Sequence, residues 1–380
     1  MDRQTTSSHT CVERLLLRNF RNFFCGSFEP PLRGMTAIVG PNGAGKTTLL
    51  EAIYYAINQR SFRVVDREAL IQTGSNTAVV RALFRCDDRE LLVETELCRD
   101  QRSRLQLNRQ PVRTREIRTL VPMTIFSPED LMIVQGPPAG RRLLLDNALG
   151  LVDVNGPETV EVANRIIKQR NALLRRTGGH RSTSLVRSLE VWDEEWANAG
   201  TKLAEYREQL VSMLEPVFCE LYSLYSSVVP TGKGGMSSSE GRAGVSYRRS
   251  WKGRLVDALR ESRDEDIRRG VTTCGPHRDD LVLYLDSREA RLQASQGEHR
   301  TLALALRMAL HQLVIDRDHR VPLLLLDDLF SELDETRARA LKEAMPVGQA
   351  FLTTANGLPK GVGVDQVVDV RTLQLAAADL

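Results

Sequence analysis

The chain has 380 residues, 42% of them apolar, and carries 52 basic against 49 acidic side chains for a net charge of +3. That length allows roughly two or three domains with a sizeable core, and the apolar share is ordinary for a soluble globular protein. So even a charge balance gives no bulk argument for nucleic acid. The six cysteines (11, 25, 86, 98, 219 and 274) contain no C-x-x-C pair, so they suggest neither a zinc site nor a disulfide framework and fit a reducing compartment. The opening MDRQTTSSHT lacks the apolar core of a signal peptide, and no run is long enough to span a bilayer. A cytoplasmic protein with no membrane partner is therefore expected.

In chain order, residues 11–39 alternate apolar and polar positions over CVERLLLRNF and again around RNFFCGSFEP, which predicts two strands. They lead to Gly40-Pro41-Asn42-Gly43-Ala44-Gly45-Lys46-Thr47, a complete G-x-x-x-x-G-K-[ST] phosphate loop with a strand before it and a helix predicted over 47–58. Its glycines permit backbone angles that turn successive N–H groups onto phosphate oxygens. Lys46 would reach the β- and γ-phosphates, Thr47 would offer its hydroxyl to Mg²⁺, and the helix would point its positive end at the nucleotide.

From 79 to 122 the pattern predicts a meander of short antiparallel strands, forming a β-subdomain. It bears an arginine-rich stretch, 99–118, with seven arginines against two acids; this is a phosphate-facing patch or a solvated hairpin face. Segment 124–150 pairs a helix start at Ser127-Pro128-Glu129-Asp130 with a break at Gly136-Pro137-Pro138. Helical spacing over 157–226, interrupted near 179–184, predicts an antiparallel helical arm without a sustained heptad. The Gly/Ser-rich 231–246 reads as a mobile loop, followed by helix 251–263 and strand character at 271–285. A helix from about 296, a buried strand at 321–326 and strands at 349–354 and 366–370 complete the chain. The expected organisation is an α/β ATPase domain split by a helical insert: 1–123 with the phosphate loop and β-subdomain, 124–265 as helical lobe, and 266–380 as the C-terminal part of the ATPase domain.

Three downstream features complement the phosphate loop. Pro322-Leu323-Leu324-Leu325-Leu326-Asp327-Asp328 is an apolar strand ending in acids, the form of a Walker B segment, where the first carboxylate supports Mg²⁺ and the second can orient a water. Ala294-Ser295-Gln296-Gly297-Glu298 opens a helix and resembles the signature motif of ABC-type ATPases, although S-x-G is also an everyday helix cap. Phe330-Ser331-Glu332-Leu333-Asp334 resembles their D-loop. In ABC ATPases the signature of one copy closes over the nucleotide of another. A chain with one of each motif would then pair head to tail, as an ATP-driven homodimer.

The blocks LRNFRNF (17–23), GPNGAGKTTLLEAIYYA (40–56), RSFR (60–63), FSPEDL (126–131), GPPAGRRLLLD (136–146), GPHRDDL (275–281), SQGEHRTLALAL (295–306) and LLLDDLFSELD (324–334) together resemble the RecF family of bacterial DNA repair ATPases. The resemblance implies an ABC-type head like those of SMC and Rad50, with a short helical lobe in place of a long coiled coil. It also implies a weak, DNA-stimulated ATPase that dimerises with ATP on double-stranded DNA or at its gaps and junctions. Such a protein works with RecR and RecO to place RecA, and takes part in replication and the SOS response. By the same resemblance, Gly40, Pro41, Asn42, Gly43, Ala44, Gly45, Lys46, Thr47 and Thr48 form the cradle, with Thr47 and Asp327 holding the metal. Ser295 and Gly297 are the γ-phosphate contact made in trans, and Lys46, Asp327 and Asp328 are the catalytic group. Asp328 stands where many ABC ATPases have glutamate, one methylene longer, so slow turnover is expected. Thr353 or Thr354 would stand in for the switch histidine of transporters, and Ser127 to Asp130 for the glutamine loop. His277 and Arg278 are catalytic, DNA-facing, or part of a structural turn. The competing readings are the ATPase subunit of a membrane transporter and a non-hydrolysing, nucleotide-dependent scaffold.

Overall fold

The structure is a computed structural model describing residues 8–373 apart from 64, 88, 177–178, 181, 227–241, 333–334, 346–347, 356 and 359–361. It divides into two compact units. The first contains residues 1–130, 224–237 and 311–380, and the second 131–223 and 238–310.

Two sheets build the first unit. The larger grows from a long hairpin, Ser8–Phe20 against Phe23–Phe28, whose tight turn leaves only Arg21 and Asn22 between the strands. Strands Thr77–Cys86, Arg89–Cys98, Arg104–Leu107 and Gln110–Pro111 extend it antiparallel. This is the expected meander, and its period-2 burial comes from one face packing on the core. The other sheet is fully parallel, in the order Gln366–Asp369, Gly34–Val39, Gln349–Thr354, Leu323–Leu326, Met123–Phe126. All four leucines of Leu323–Leu326 are buried, as a central parallel strand covered on both faces requires.

Between the sheets lies helix Lys46–Asn58, buried over eleven of its thirteen residues. Phe20, Phe23, Phe28, Tyr55, Phe84 and Phe351 pack in the same core, and Phe28 meets Phe351 edge-on at 5.5 Å. The sheets are also stitched by one amide. Gln349 accepts the Val12 N–H at 2.7 Å and donates to the Val12 carbonyl at 2.9 Å. That exchange occurs where the ladder between Ser8–Phe20 and Thr77–Cys86 slips register, so a side chain satisfies backbone groups at the bulge.

In the second unit, helices Gly156–Arg176 and Thr183–Ser226 form the expected arm. With Leu255–Arg269 they enclose Arg170, a fully buried guanidinium that pairs with Asp193 at 2.7 Å and Asp266 at 2.8 Å. One cation thus cross-links three helices, beside an apolar cluster of Leu174, Leu185, Leu189 and Ile267 from the same three. A small antiparallel sheet, Ala243–Arg248, Asp280–Leu285 and Arg288–Glu289, completes this unit.

Several expectations change. Met123–Phe126 is a strand of the parallel sheet, and Thr114–Leu120, expected as strand, is a helix burying Ile117. Only Asp280–Leu285 of 271–285 is strand, and the helix expected at 251–263 runs Leu255–Arg269, ending on the left-handed Gly270. Of the expected loop 231–246, residues 243–246 belong to a strand and 231–241 lie outside the described residues. Residues 266–310 group with the helical unit, where 1–123, 124–265 and 266–380 had been expected as the divisions. The reason is the ladder between Ala243–Arg248 and Asp280–Leu285, which binds both segments into one sheet.

Candidate nucleotide site

Parallel strands direct their carboxyl ends to one edge of the sheet, the usual location of a ligand crevice in α/β folds. Here that edge brings together Gly40 after Gly34–Val39, Asp327 and Asp328 after Leu323–Leu326, and Thr353 at the end of Gln349–Thr354. A cavity of about 450 Å³ opens there, lined by Asn42, Gly43, Gly45, Lys46, Thr47, Thr48, Asp328 and Thr353 together with Arg21, Asn22 and Arg63.

The loop conformation depends on its glycines. Gly43 has φ +81° and Gly45 φ +107°, both in the left-handed region. A Cβ on Gly45 would also stand 2.8 Å from Asn22 Nδ2 and from the buried ring of Phe23. The hairpin turn therefore presses directly on the loop, and Asn22 donates to the Gly43 carbonyl at 3.3 Å. Lys46 Nζ is held by the carbonyls of Gly40 at 2.8 Å and Pro41 at 3.0 Å, which fixes the ammonium at the cavity wall and leaves a third donor for a phosphate oxygen.

Opposite the loop, Asp327 is buried and accepts hydroxyl bonds at one oxygen, Oδ1, from Thr47 at 2.8 Å and from Thr353 at 2.8 Å. Burial raises its pKa above the usual carboxylate range, against the lowering effect of those two bonds. Thr47 Oγ1 and Asp327 form a pair of adjacent hard oxygen donors. Mg²⁺ suits such a pair, since it commonly takes one or two protein ligands and completes its shell with phosphates and water. Among the described residues no group of three acidic, His or Cys side chains makes a dedicated metal cage. Asp328 has φ +52°, an unusual conformation for a residue with a side chain.

The signature segment lies in the second unit. Ser295 is exposed and opens helix Gln296–Asp318 with a reciprocal capping box: Glu298 N–H donates to Ser295 Oγ at 3.3 Å, and Ser295 N–H to Glu298 Oε2 at 2.6 Å. Gly297 follows in the first turn, so the segment offers a long helix's N-terminus on the surface. Leu333 and Asp334 of the D-loop segment lie outside the described residues. Ser127 to Asp130 follow the edge strand, with the Ser127 N–H bonded to the Asp130 carboxylate. His277 is part of a turn: its Nε2 bonds the Thr272 carbonyl at 3.0 Å, its ring meets Trp196 edge-on, and burial lowers its pKa to about 4. Arg278 is exposed.

The arginine-rich stretch divides in two. Arg99 bonds the Ser75 carbonyl and Arg118 the Asn58 carbonyl at the end of the phosphate-loop helix, so these two are structural. Arg102, Arg104, Arg109, Arg113 and Arg115 are exposed. The outer face of the antiparallel sheet carries ion pairs instead, Arg14 with Glu29, Arg81 with Glu94, Arg85 with Glu13 and Arg104 with Glu96, so its arginines are largely neutralised.

Comparison with known proteins decides the family. The RecF/RecN/SMC N terminal domain matches residues 11–356. The chain is 38% identical over 364 residues to the DNA replication and repair protein RecF of Streptomyces avermitilis, covering 90% of this chain and 93% of that one. The chain belongs to the RecF family. Its fold superposes on a recombination mediator protein RecF solved with ATP, of the RecFOR pathway, with a TM-score of 0.85, 26% identity and 98% of each chain covered. An SMC head domain from Pyrococcus furiosus, 16% identical, shares the fold with a TM-score of 0.52 over 91% of this chain and 90% of the other. The RecF-family fold is thus the ABC-type head expected from the motifs, and the transporter-subunit reading falls away. Among the described residues no helix is long and apolar enough to cross a membrane.

Arg21, Asn22, Glu51 and Arg63 were missed by motif reasoning. Arg21 makes two bonds to the fully buried Glu51, at 2.9 and 2.7 Å, and Ser61 adds a third to the same carboxylate. A buried acid in a helix that otherwise reads as apolar, TTLLEAIYYAI, was the available signal.

Proposed function

We propose that this RecF-family chain is an ATP-dependent DNA-binding protein of replication and recombinational repair, hydrolysing ATP slowly to ADP and phosphate with stimulation by DNA. The observation that carries the reading is the convergence of Lys46, Thr47 and Asp328 on one cavity, with the buried Asp327 bonded to the Thr47 hydroxyl beside it. Backbone N–H groups of Gly43 to Thr48 receive the phosphates, and Lys46 neutralises the β- and γ-oxygens. Thr47 and Asp327 hold Mg²⁺, which when bound offsets charge on the phosphates. Asp328 orients the attacking water, at a longer reach than a glutamate would have.

Ser295 and Gly297 of a second copy complete the site from across a homodimer. The exposure of Ser295 at the start of helix Gln296–Asp318, with Gly297 half-buried in its first turn, supports this, because such an end favours a phosphate oxygen. Two copies closed by ATP would grip DNA at gaps or junctions between duplex and single strand, cooperating in the cytoplasm with RecR and RecO to load RecA, also during the SOS response. Contacts of this kind are with phosphates, so affinity falls steeply with salt.

The test is sedimentation and gel shift on gapped duplex DNA with ATP, ADP or neither. An Asp328→Asn chain is expected to accumulate as a DNA-bound dimer in ATP, and Lys46→Met to remain monomeric. A monomer in ATP for Asp328→Asn, or salt-independent DNA affinity, would contradict the proposal. Phosphate release by wild type on DNA separates an enzyme from a non-hydrolysing scaffold.

A further inference from the structure

Two neighbouring threonines end the strand Gln349–Thr354, both with about 1% exposure, and their hydroxyls do different things. Thr354 Oγ1 donates to the Gly357 carbonyl at 2.8 Å, closing its own loop. Thr353 Oγ1 faces the acids: it donates to Asp327 Oδ1 at 2.8 Å and accepts the backbone N–H of Asp328 at 2.9 Å. One hydroxyl therefore touches both residues of the acidic pair, one through its carboxylate and the other through its backbone.

From this geometry we infer that Thr353 is the positioning residue of the nucleotide site, its hydroxyl setting the orientation of Asp327 and holding Asp328 in its left-handed conformation. The inference rests on the ATPase reading above. Asp328 lines the cavity at φ +52°, a conformation uncommon for a residue with a side chain, and such strain persists only where the surroundings over-determine it. Among the described contacts, the Thr353 hydroxyl supplies that restraint at the Asp328 N–H. The same oxygen of Asp327 takes the Thr47 bond, so Thr353 also fixes the carboxylate relative to the other proposed metal donor. Parallel pairing of Leu324–Leu326 with Ala350–Leu352 fixes the register that places Thr353 beside Asp327 and Asp328.

Valine is nearly isosteric with threonine and favours strands, so Thr353→Val removes the hydroxyl with the fold retained. Binding of a fluorescent ATP analogue would be measured in Mg²⁺ and in EDTA, alongside phosphate release on gapped duplex DNA, for the full chain. In Thr353→Val, affinity in EDTA should stay within about threefold of wild type, while most of the gain from Mg²⁺ is lost. Its kcat should fall roughly 10- to 100-fold with KM within about threefold, the scale of a misplaced catalytic group. Thr353→Ser, which restores the hydroxyl, should recover both quantities, and Thr354→Val should match wild type. The inference is overturned if Thr353→Val keeps its Mg²⁺ gain and kcat, if Thr353→Ser is as defective as Thr353→Val, or if Thr354→Val is equally impaired. Absence of turnover in wild type would instead overturn the ATPase reading, and Thr353 would then be judged on the Mg²⁺ gain in binding alone.

Discussion

Replacing Glu51 with alanine tests whether the hairpin turn is held to the phosphate-loop helix by charge. Glu51 is fully buried, while the Arg21 side chain retains 18% exposure. Removing one partner of a buried pair costs about 3–5 kcal/mol, mostly the penalty of the charge left behind. Water can partly reach Arg21, so the lower end applies, about 3 kcal/mol. For a unit of this size that corresponds to a fall in Tm of roughly 6–12 °C. Equilibrium unfolding in urea of Glu51→Ala, Arg21→Ala and the double variant would measure it. The double variant should be less destabilised than the sum of the single ones by about 1–2 kcal/mol, because it carries no orphaned charge. Nucleotide affinity should fall in Glu51→Ala as well, since Asn22, next to Arg21, bonds the Gly43 carbonyl. A loss below about 1 kcal/mol with no coupling between Arg21 and Glu51 would refute the reasoning.

Gly45→Ala should destabilise by about 2 kcal/mol or more, combining the left-handed backbone with a methyl pressed on Asn22 and Phe23, and should weaken ATP binding in the same titrations. His311 is buried beside Thr124, its ring nitrogen 2.9 Å from the hydroxyl, and burial lowers its pKa to about 4. Between that value and the unfolded value near 6.5 the unfolded chain binds the proton and the folded chain does not, so stability is intact above about pH 6.5 and is lost as pH falls toward 4. Wild type should therefore lose about 2–3 kcal/mol more than His311→Gln between pH 7 and 4.5, read by urea unfolding at both pH values. Charge reversal of exposed Arg113 and Arg115 should weaken gapped-DNA binding and reduce its salt slope, whereas reversal of Arg81, paired with Glu94, should change it little; gel shifts at two salt concentrations distinguish the cases.

The phosphate loop, the acidic strand end and the meander were legible because each depends on local rules: glycine conformations, apolar runs and period-2 burial. The strand Met123–Phe126 was not, since four residues before a Ser-Pro helix start carry too little pattern to separate strand from helix. Likewise, 266–310 reads as a continuation of the ATPase domain until pairing of Ala243–Arg248 with Asp280–Leu285 joins it to the helices. Charge density over 99–118 also misled in part. Composition counts arginines, but whether a guanidinium meets solvent, a carbonyl or a glutamate depends on what lies across the sheet.

By itself the sequence determined a cradle for phosphates, an acidic strand end and the RecF-family resemblance, because Gly45, Lys46, Thr47, Asp327 and Asp328 act through residue type and short spacing. Tertiary structure decided which of two adjacent threonines faces the acids. Side chains alternate across a strand, so Thr353 and Thr354 must point to opposite sides, and only the parallel register with Leu323–Leu326 selects Thr353. It also decided that Arg21 and Glu51, thirty positions apart, lock the turn beside the loop, a pairing that depends on long-range packing.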